Sequence, residues 1–352
     1  MYPLFSKEPY PRNQWYMVAW GSEVTDQPLG RTLLDTPLVI YRNTEGRAIV
    51  LDGRCPHRRF PLAKGWVENG NIVCPYHGFA FNGEGQCVHV PSQSRPVDTQ
   101  RTVAFPVREI WNWIWVWMGD PALADDKSLP PLNLVHADEP GWTFAHGGLR
   151  TIKARYMLLH DNLFDLSHIS YLHRKTVGSP GVAKAKVKSE EFEWGLDIHR
   201  EVKADSMGES LLGKALNVNG LIDRFMPQQY FAPCLHVTGS AFHSAEDGGV
   251  DPGYLFGSFR VIHIIVPETA HSTHYFWAFT RTFRHQETEI TDLLRRNIVV
   301  TLDEDVEASE DIEELLKIPG GPIEISSPSD IVAAKGRRIM KRLIEQDGHQ
   351  AS

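Results

Sequence analysis

Residues 54–91 read RCPHRRFPLAKGWVENGNIVCPYHGFAFNGEGQCVHVP, and this stretch decides how the first third of the chain folds. It holds Cys55-x-His57, a spacer of sixteen residues, then Cys74-x-x-His77. Each half sets a thiolate and an imidazole on one short loop, a donor set that suits zinc or a [2Fe-2S] cluster. A zinc finger usually supplies two cysteines and then two histidines from a helix. Here Cys and His alternate on both loops, between strand-like runs. That favours the iron–sulfur arrangement, in which the cysteines bind one iron and the histidines the other. Imidazole in place of thiolate raises the reduction potential, so the cluster can accept an electron from a reductase. Gly65, Gly70, Pro75 and Gly78 suit turns that bring backbone N–H groups towards the sulfurs. Cys87 and Cys234 read as packing residues.

Outward from this stretch, TPLVIYRN (36–43), GRAIVLDG (46–53) and IWNWIWVWMG (110–119) are strand-like runs punctuated by Gly, Pro and Asn. They predict a small all-β domain over residues 1–120. Residues 121–131, PALADDKSLPP, carry turn formers and charge with little apolar periodicity, which makes them the candidate linker. In residues 132–352, helical patterning around Tyr156–Leu172 gives way to the strand-like FGSFRVIHIIVP (256–267) and STHYFWAFTRTF (272–283). An acidic amphipathic helix is expected over Thr288–Leu316 and another over Ser329–Glu345, with Ser329 and Asp330 as its cap. The larger domain is therefore expected to be α+β, an antiparallel sheet flanked by helices.

The net charge of −8 is spread without long like-charge runs, so nothing resembles the basic footprint of a nucleic-acid binder. No apolar run approaches the ~20 residues a membrane-spanning helix needs. The opening MYPLFSKEPYPRNQW lacks a signal peptide's basic and then apolar segments, so a soluble cytoplasmic protein is expected. Four cysteines in 352 residues do not suggest a disulfide framework.

A second constellation lies in LLHDNLFDLSHISYLHRK (158–175). Asn162, Asp165 and His168 are three apart and would share a helix face. His173 would lie about 140° further round a regular helix, so a helix end or irregularity is required between the histidines. Two histidines and a carboxylate form the facial triad of a non-haem Fe(II) oxygenase, which leaves the opposite face open for O₂ and substrate. Carboxylates cluster in TLDEDVEASED (301–311), where ligand chemistry alone does not separate Asp303, Glu304 and Asp305. With sixteen histidines available, the pair alone is modest evidence. A cluster that delivers single electrons gives a second centre its purpose.

Taken with RNQWYMVAW (12–20), PLGRTLLDTPLVIYR (28–42), GQCVHVP (85–91), WMGDPALAD (117–125) and NLFDLSHISYLHR (162–174), these motifs resemble Rieske non-haem iron oxygenases along nearly the whole chain. The resemblance is to the group containing the dicamba and vanillate O-demethylases. It implies a Rieske [2Fe-2S] cluster on Cys55, His57, Cys74 and His77, and Fe(II) on His168 and His173. The third ligand would come from a Glu-Asp pair in the acidic helix, matched by Glu304 and Asp305: Asp305 first, Asp303 second. Asp165 matches a carboxylate that links His168 to the counterpart of His77 in a neighbouring subunit, which implies a head-to-tail homotrimer. Asp165 would also orient the His168 imidazole. Asn162 matches a residue close to the iron, and His263 a histidine that contacts substrate. The pocket is expected mainly between about 178 and 283.

Electrons from NAD(P)H would arrive through a separate flavin and iron–sulfur reductase, with or without a ferredoxin. The absence of a G-x-G-x-x-G fingerprint fits that division. The implied activity is monooxygenation: hydroxylation or O-/N-dealkylation of a small aromatic compound with O₂, O-demethylation foremost. A ring cis-dihydroxylating dioxygenase is the alternative within the family. A Rieske electron carrier is the alternative from another class, and a carrier needs only the first hundred or so residues.

Overall fold

A computed structural model describes residues 3–4, 6–206, 211–218, 220–245, 253–321 and 324–350. The chain divides into a first unit, Glu8–Leu129 with Val266–Ala270 and Ile344–Ser352, and a second, Met1–Lys7, Pro130–Ile265 and His271–Leu343.

The first unit contains β1 (Trp15–Trp20), β2 (Leu29–Leu33), β3 (Thr36–Arg42), β4 (Ala48–Asp52), β5 (Trp66–Glu68), β6 (Asn71–Val73), β7 (Ala80–Phe81), β8 (Cys87–His89), β9 (Val107–Ile110) and β10 (Trp113–Trp117). Three antiparallel sheets result, ordered β1-β10-β9, β2-β3-β4 and β5-β6-β7-β8. The run 110–119 is two strands rather than one. Trp111 adopts φ 58°, and Trp113 pairs back on Ile110 as a hairpin. Asn69 and Gly70, with φ of 51° and 77°, turn β5 into β6 in the way Asn-Gly favours. Gly65 serves packing rather than a turn, because a Cβ there would come within 2.0 Å of the Val73 carbonyl oxygen. Residues 121–129, expected as linker, fold onto this unit: Trp15 Nε1 donates to the Asp125 carbonyl at 3.0 Å, and Arg108 pairs with Asp126.

The second unit contains β11 (Thr143–Ile152), α1 (Tyr156–Phe164), α2 (Pro180–Lys184), β12 (Val187–Phe192), β13 (Gly195–Ser206), α3 (Leu211–Leu216), β14 (Leu221–Phe231), β15 (Leu235–Ser244), β17 (Ser272–Arg281), α4 (Thr288–Leu316) and the larger part of β16 (Leu255–Thr269) and of α5 (Ile331–Gln350), whose last residues count with the first unit. Its sheet has seven strands in the order β11-β17-β16-β15-β14-β13-β12. The expected α+β architecture, an antiparallel sheet with helices, is what forms. On α4 the buried residues Ile290, Leu294, Ile298, Leu302, Asp305, Ser309 and Glu313 recur every three or four positions. They make one stripe down a single face. Two carboxylates therefore occupy places that packing would give to apolar side chains. Ser327, rather than Ser329, caps the turn before α5, in a reciprocal capping box with Asp330.

Candidate metal centres and cavity

The two loops of the first constellation are near copies of each other. Cys55 follows β4 and Cys74 follows β6. Cys55 N donates to Phe60 O at 2.9 Å and Cys74 N to Phe79 O at 2.8 Å, while Arg59 N and Gly78 N return to the carbonyls of Cys55 and Cys74 at 2.7 and 2.9 Å. Both returning residues have positive φ, 57° at Arg59 and 72° at Gly78. A left-handed arginine is costly by roughly 1 kcal/mol, and the loop accepts that cost to close. Cys55 and Cys74 are each 1% exposed, among Val39, Tyr41, Leu51, Leu62, Ile72 and Phe81. His57 and His77 are exposed, with ring centroids 4.5 Å apart. Burial, with the Cys74 thiol alongside, pushes the Cys55 thiol upward against the backbone N–H of His57. Two buried sulfurs beneath two exposed imidazoles fit a [2Fe-2S] cluster ligated by thiolates on one iron and imidazoles on the other.

The second constellation also converges, by a route that periodicity did not show. α1 stops at Phe164, Asp165 leaves the helix at φ −110° and ψ 86°, and a 3₁₀ turn runs over Leu166–Ser170. The required break thus falls before His168, and a turn carries the chain to His173. His168 Nε2 lies 3.6 Å and His173 Nε2 3.0 Å from Asp305 Oδ1, and the three ligand atoms are all within 4.8 Å of one another. Asp303 instead points to Arg150, 2.7 Å away.

Each imidazole is steered through its other nitrogen. His173 Nδ1 meets Glu304 Oε2 at 2.7 Å, and Thr176 Oγ1 donates to the same oxygen at 2.9 Å. His168 Nδ1 meets the backbone carbonyl of Asp165 at 2.6 Å. Asp165 thus meets the His168 ring through its main-chain carbonyl, which leaves its carboxylate for other partners. The carboxylate caps the 3₁₀ turn, accepting from Ser167 N at 3.0 Å. Burial would raise its pKa, but Ser167, Ser329 and the Arg200 charge hold it below the usual carboxylate range. Asn162 Nδ2 donates to Asp305 Oδ1 at 2.9 Å, so Asn162 holds the carboxylate in place. With each Nδ1 engaged, both Nε2 atoms converge on Asp305 Oδ1, and as neutral imidazoles they would complete a two-histidine, one-carboxylate set suited to Fe(II) with open positions.

A cavity of about 130 Å³ opens beside these three residues, bounded on its apolar side by Leu163, Ile169, Met226, Val261, Ile298 and Leu302. The segment 178–283 supplies only one wall, and α1, the 3₁₀ turn and α4 supply the other. Residues 207–210, 219 and 246–252 of that segment lie outside the described residues. His263 borders the cavity, with Nε2 at 2.9 Å from Thr238 Oγ1 and Nδ1 against the Tyr275 hydroxyl. Burial lowers its pKa to about 4, so it is a neutral ring in a polar pair. Arg224 also borders the cavity and was not singled out from the sequence. The signal was available: Ile222, Arg224, Met226, Gln228 and Tyr230 alternate on one strand face, and all but the charged Arg224 and polar Gln228 suit a core.

A small β unit with a Cys₂His₂ loop pair, and an α+β unit with a two-histidine, one-carboxylate set at a cavity, are what a Rieske oxygenase requires. Residues 14–107 match the Rieske [2Fe-2S] domain, and residues 152–346 match the vanillate O-demethylase oxygenase C-terminal domain. The vanillate O-demethylase oxygenase subunit of Pseudomonas sp. (strain HR199 / DSM 7063) is 34% identical over 97% of this chain and 98% of its own length. The toluene-4-sulfonate monooxygenase system iron-sulfur subunit TsaM1 of Comamonas testosteroni is 33% identical over 96% of this chain and 97% of its own. The crystal structure of dicamba monooxygenase bound to 3,6-dichlorosalicylic acid superposes with a TM-score of 0.87 at 31% identity, covering 96% of this chain and 99% of that one. The chain belongs to the Rieske non-haem iron oxygenases of the vanillate O-demethylase type. It is an oxygenase component, and its cofactors are a Rieske [2Fe-2S] cluster and a mononuclear non-haem iron.

Proposed function

We propose that this oxygenase component O-demethylates a small aromatic compound. Cys55, His57, Cys74 and His77 hold the cluster, and His168, His173 and Asp305 hold the iron. The observation that carries this reading is the convergence of those last three residues at the edge of an apolar cavity. A void of this order takes one aromatic ring, since an engineered apolar cavity of ~150 Å³ binds benzene. In the reaction, Ar–OCH₃, O₂, NAD(P)H and H⁺ give Ar–OH, formaldehyde, water and NAD(P)⁺. Iron held by His168, His173 and Asp305 would supply O₂ activation, and a cluster held by Cys55, His57, Cys74 and His77 would supply the electrons.

The protein's own contribution is positional. Asn162 steadies Asp305, and Glu304 steadies His173. Leu163, Ile298 and Leu302 exclude water, and His263, paired with Thr238 and Tyr275, offers a neutral polar contact to substrate. A separate flavin and iron–sulfur reductase, with or without a ferredoxin, delivers the electrons. The chain works as a head-to-tail homotrimer in the cytoplasm, where NAD(P)H is supplied, and Asp165 of one subunit meets His77 of the next. The ionised state of Asp165 and the exposure of His77 support that contact, and among the described residues no helix is long and apolar enough to cross a membrane.

Formaldehyde release is the test. His168→Ala or His173→Ala abolishes it while the reduced cluster keeps its magnetic-resonance signal, and full activity in either variant refutes the ligand assignment. With ¹⁸O₂, demethylation leaves the phenol unlabelled, whereas two labelled oxygens on adjacent ring carbons would mean cis-dihydroxylation. Two irons per chain instead of three would reduce the protein to an electron carrier.

A further inference from the structure

Tyr275 has no chemical task of its own in the reading above. It lies on β17 at 1% exposure, and its hydroxyl meets Nδ1 of His263 on β16. The two rings are stacked, with centroids 5.9 Å apart. His263 borders the cavity beside His168, His173 and Asp305, and Tyr275 does not itself border it. The other ring nitrogen of His263, Nε2, lies 2.9 Å from Thr238 Oγ1. A phenol is a far stronger acid than an alkyl alcohol, so the tyrosine O–H donates to Nδ1 and the imidazole N–H donates to the threonine oxygen. Tyr275 is thus a buried phenol hydrogen-bonded to a base, one residue back from the iron site. The sheet carries a row of such rings: His263 pairs in register with His236 on β15, and His236 with Tyr230 on β14. Tyr230, however, gives its hydroxyl to Met340 Sδ at 2.9 Å, and a thioether is no base.

O₂ takes up four electrons on its way to water. In a productive turnover NAD(P)H supplies two and the substrate C–H bond the other two. When no oxidisable C–H bond is presented to the iron, two oxidising equivalents are left for the protein to absorb. Among the described residues bordering the cavity there is no tyrosine, tryptophan or cysteine, and the one thioether on its wall is Met226. Taking an electron alone from a buried tyrosine leaves a cationic phenol in an apolar interior, which is very costly. A base within hydrogen-bond reach removes that cost by accepting the proton in the same step. His263 can do so, because burial keeps its ring neutral with a lone pair at Nδ1. We propose that Tyr275 is a redox-active tyrosine that protects the cavity: in unproductive turnover it gives one electron to the iron site and its phenolic proton to His263 Nδ1. The products are a neutral tyrosyl radical and an imidazolium. The next electron from NAD(P)H reduces the radical, and His263 returns the proton. Two such electrons, with protons from solvent, take the oxygen to water instead of to a sulfoxide on Met226.

The proposal rests on iron at His168, His173 and Asp305, not on which aryl compound is the substrate, and it is read out by spectroscopy and mass spectrometry. Cluster- and iron(II)-loaded protein is mixed with hydrogen peroxide in the absence of an aromatic compound and frozen. Peroxide reaches water with two electrons, one from the ferrous iron and one from Tyr275. A tyrosyl radical is the expected paramagnetic resonance signal. With 3-fluorotyrosine placed at position 275, which keeps the hydrogen bond, that signal acquires fluorine splitting. Tyr275→Phe abolishes the radical and Tyr230→Phe retains it. In Tyr275→Phe, Met226 sulfoxide per peroxide consumed rises several-fold. No radical in the iron-loaded parent, a signal that lacks the fluorine splitting or survives in Tyr275→Phe, or unchanged Met226 oxidation in that variant overturns the proposal. Iron content in His168→Ala equal to the parent's would instead sink the ligand assignment on which it rests.

Discussion

Glu304 shows how much one side chain beside a metal ligand decides. It gives His173 an anionic partner at 2.7 Å, whereas His168 has only a backbone carbonyl. Partners of this kind fix ring orientation and typically account for ~10–100-fold in metal affinity or activity. Glu304→Ala is expected to lower iron occupancy and turnover by about that factor, with the cluster signal unchanged. Glu304→Gln, which keeps a hydrogen-bonding oxygen, should recover part of both. Iron analysis beside kcat checks this, and full occupancy in Glu304→Ala would deny Glu304 a positioning role. The residue types here were legible before the fold: Asp303, Glu304 and Asp305 were all candidates. Ligand chemistry could not rank them. The buried stripe of α4 ranks them, because Asp305 lies on it and Asp303 faces Arg150 at the surface.

Among the elements, α1 is held at both ends by groups that can be removed one at a time. At its start, Arg155 N, Nε and Nη2 reach Glu313 at 3.1, 2.6 and 2.9 Å, and Glu313 is 0% exposed on α4. Glu313→Ala removes the buried carboxylate that Arg155 reaches through three nitrogens and should destabilise the protein by about 3–5 kcal/mol, read from denaturant melts. At its other end Phe164 packs on α5, where a Cβ at Gly336 would come within 2.2 Å of the Phe164 ring. Gly336→Ala is therefore expected to cost about 1–3 kcal/mol and to disturb the adjoining Asp165 turn, seen as reduced turnover. A variant as stable and active as the parent would show that α5 can move away freely.

In the middle of α1, His160 Nδ1 meets His236 Nε2 of β15 at 2.7 Å, enclosed by Tyr156, Phe164 and Tyr230, with His263 nearby. Burial drives His160 down to about 3 and His236 well below its ordinary value. Both are neutral when folded, and the unfolded chain takes up protons first as pH falls below about 6.5. The stability they contribute is complete above that pH and is lost as pH falls towards the folded values. Melts from pH 7 to 4.5 should show a decline on the order of 1 kcal/mol per pH unit that His160→Gln makes shallower. An identical pH slope in the variant would contradict this account. α4 was legible to the residue from its 3.6-residue pattern. The early end of α1 was not, because Asp165 breaks the helix through a cap whose partner, Ser167, is set only by the local fold.

At the scale of the whole molecule, the proposed trimer makes a distinctive demand: each iron takes electrons from a neighbour's cluster. Chains with Cys55→Ser, lacking the cluster, and chains with His168→Ala, lacking the iron, should each be inactive. Mixed before assembly, they should regain part of the activity. If electrons stay within one chain, the mixture remains dead. Asp165→Asn is expected to keep both centres occupied and to slow single-turnover electron transfer sharply, and an unchanged rate would remove Asp165 from the route.

The two donor sets, the β and α+β character of the two units, and the acidic helix were all determined by local sequence. Thiolate and imidazole spacing, alternation and 3.6-residue periodicity act over a few residues and need no tertiary partner to be recognised. What only the tertiary structure decided was how the Asp305 carboxylate, put first by the resemblance, comes to lie beside the two histidines, that the main-chain carbonyl of Asp165 meets His168, and that Arg224 borders the cavity. Those facts depend on strands and helices far apart in the chain meeting face to face. Asn162 and Asp305, or Arg224 and Asp205, become partners only when the sheet and its covering helices bury them together.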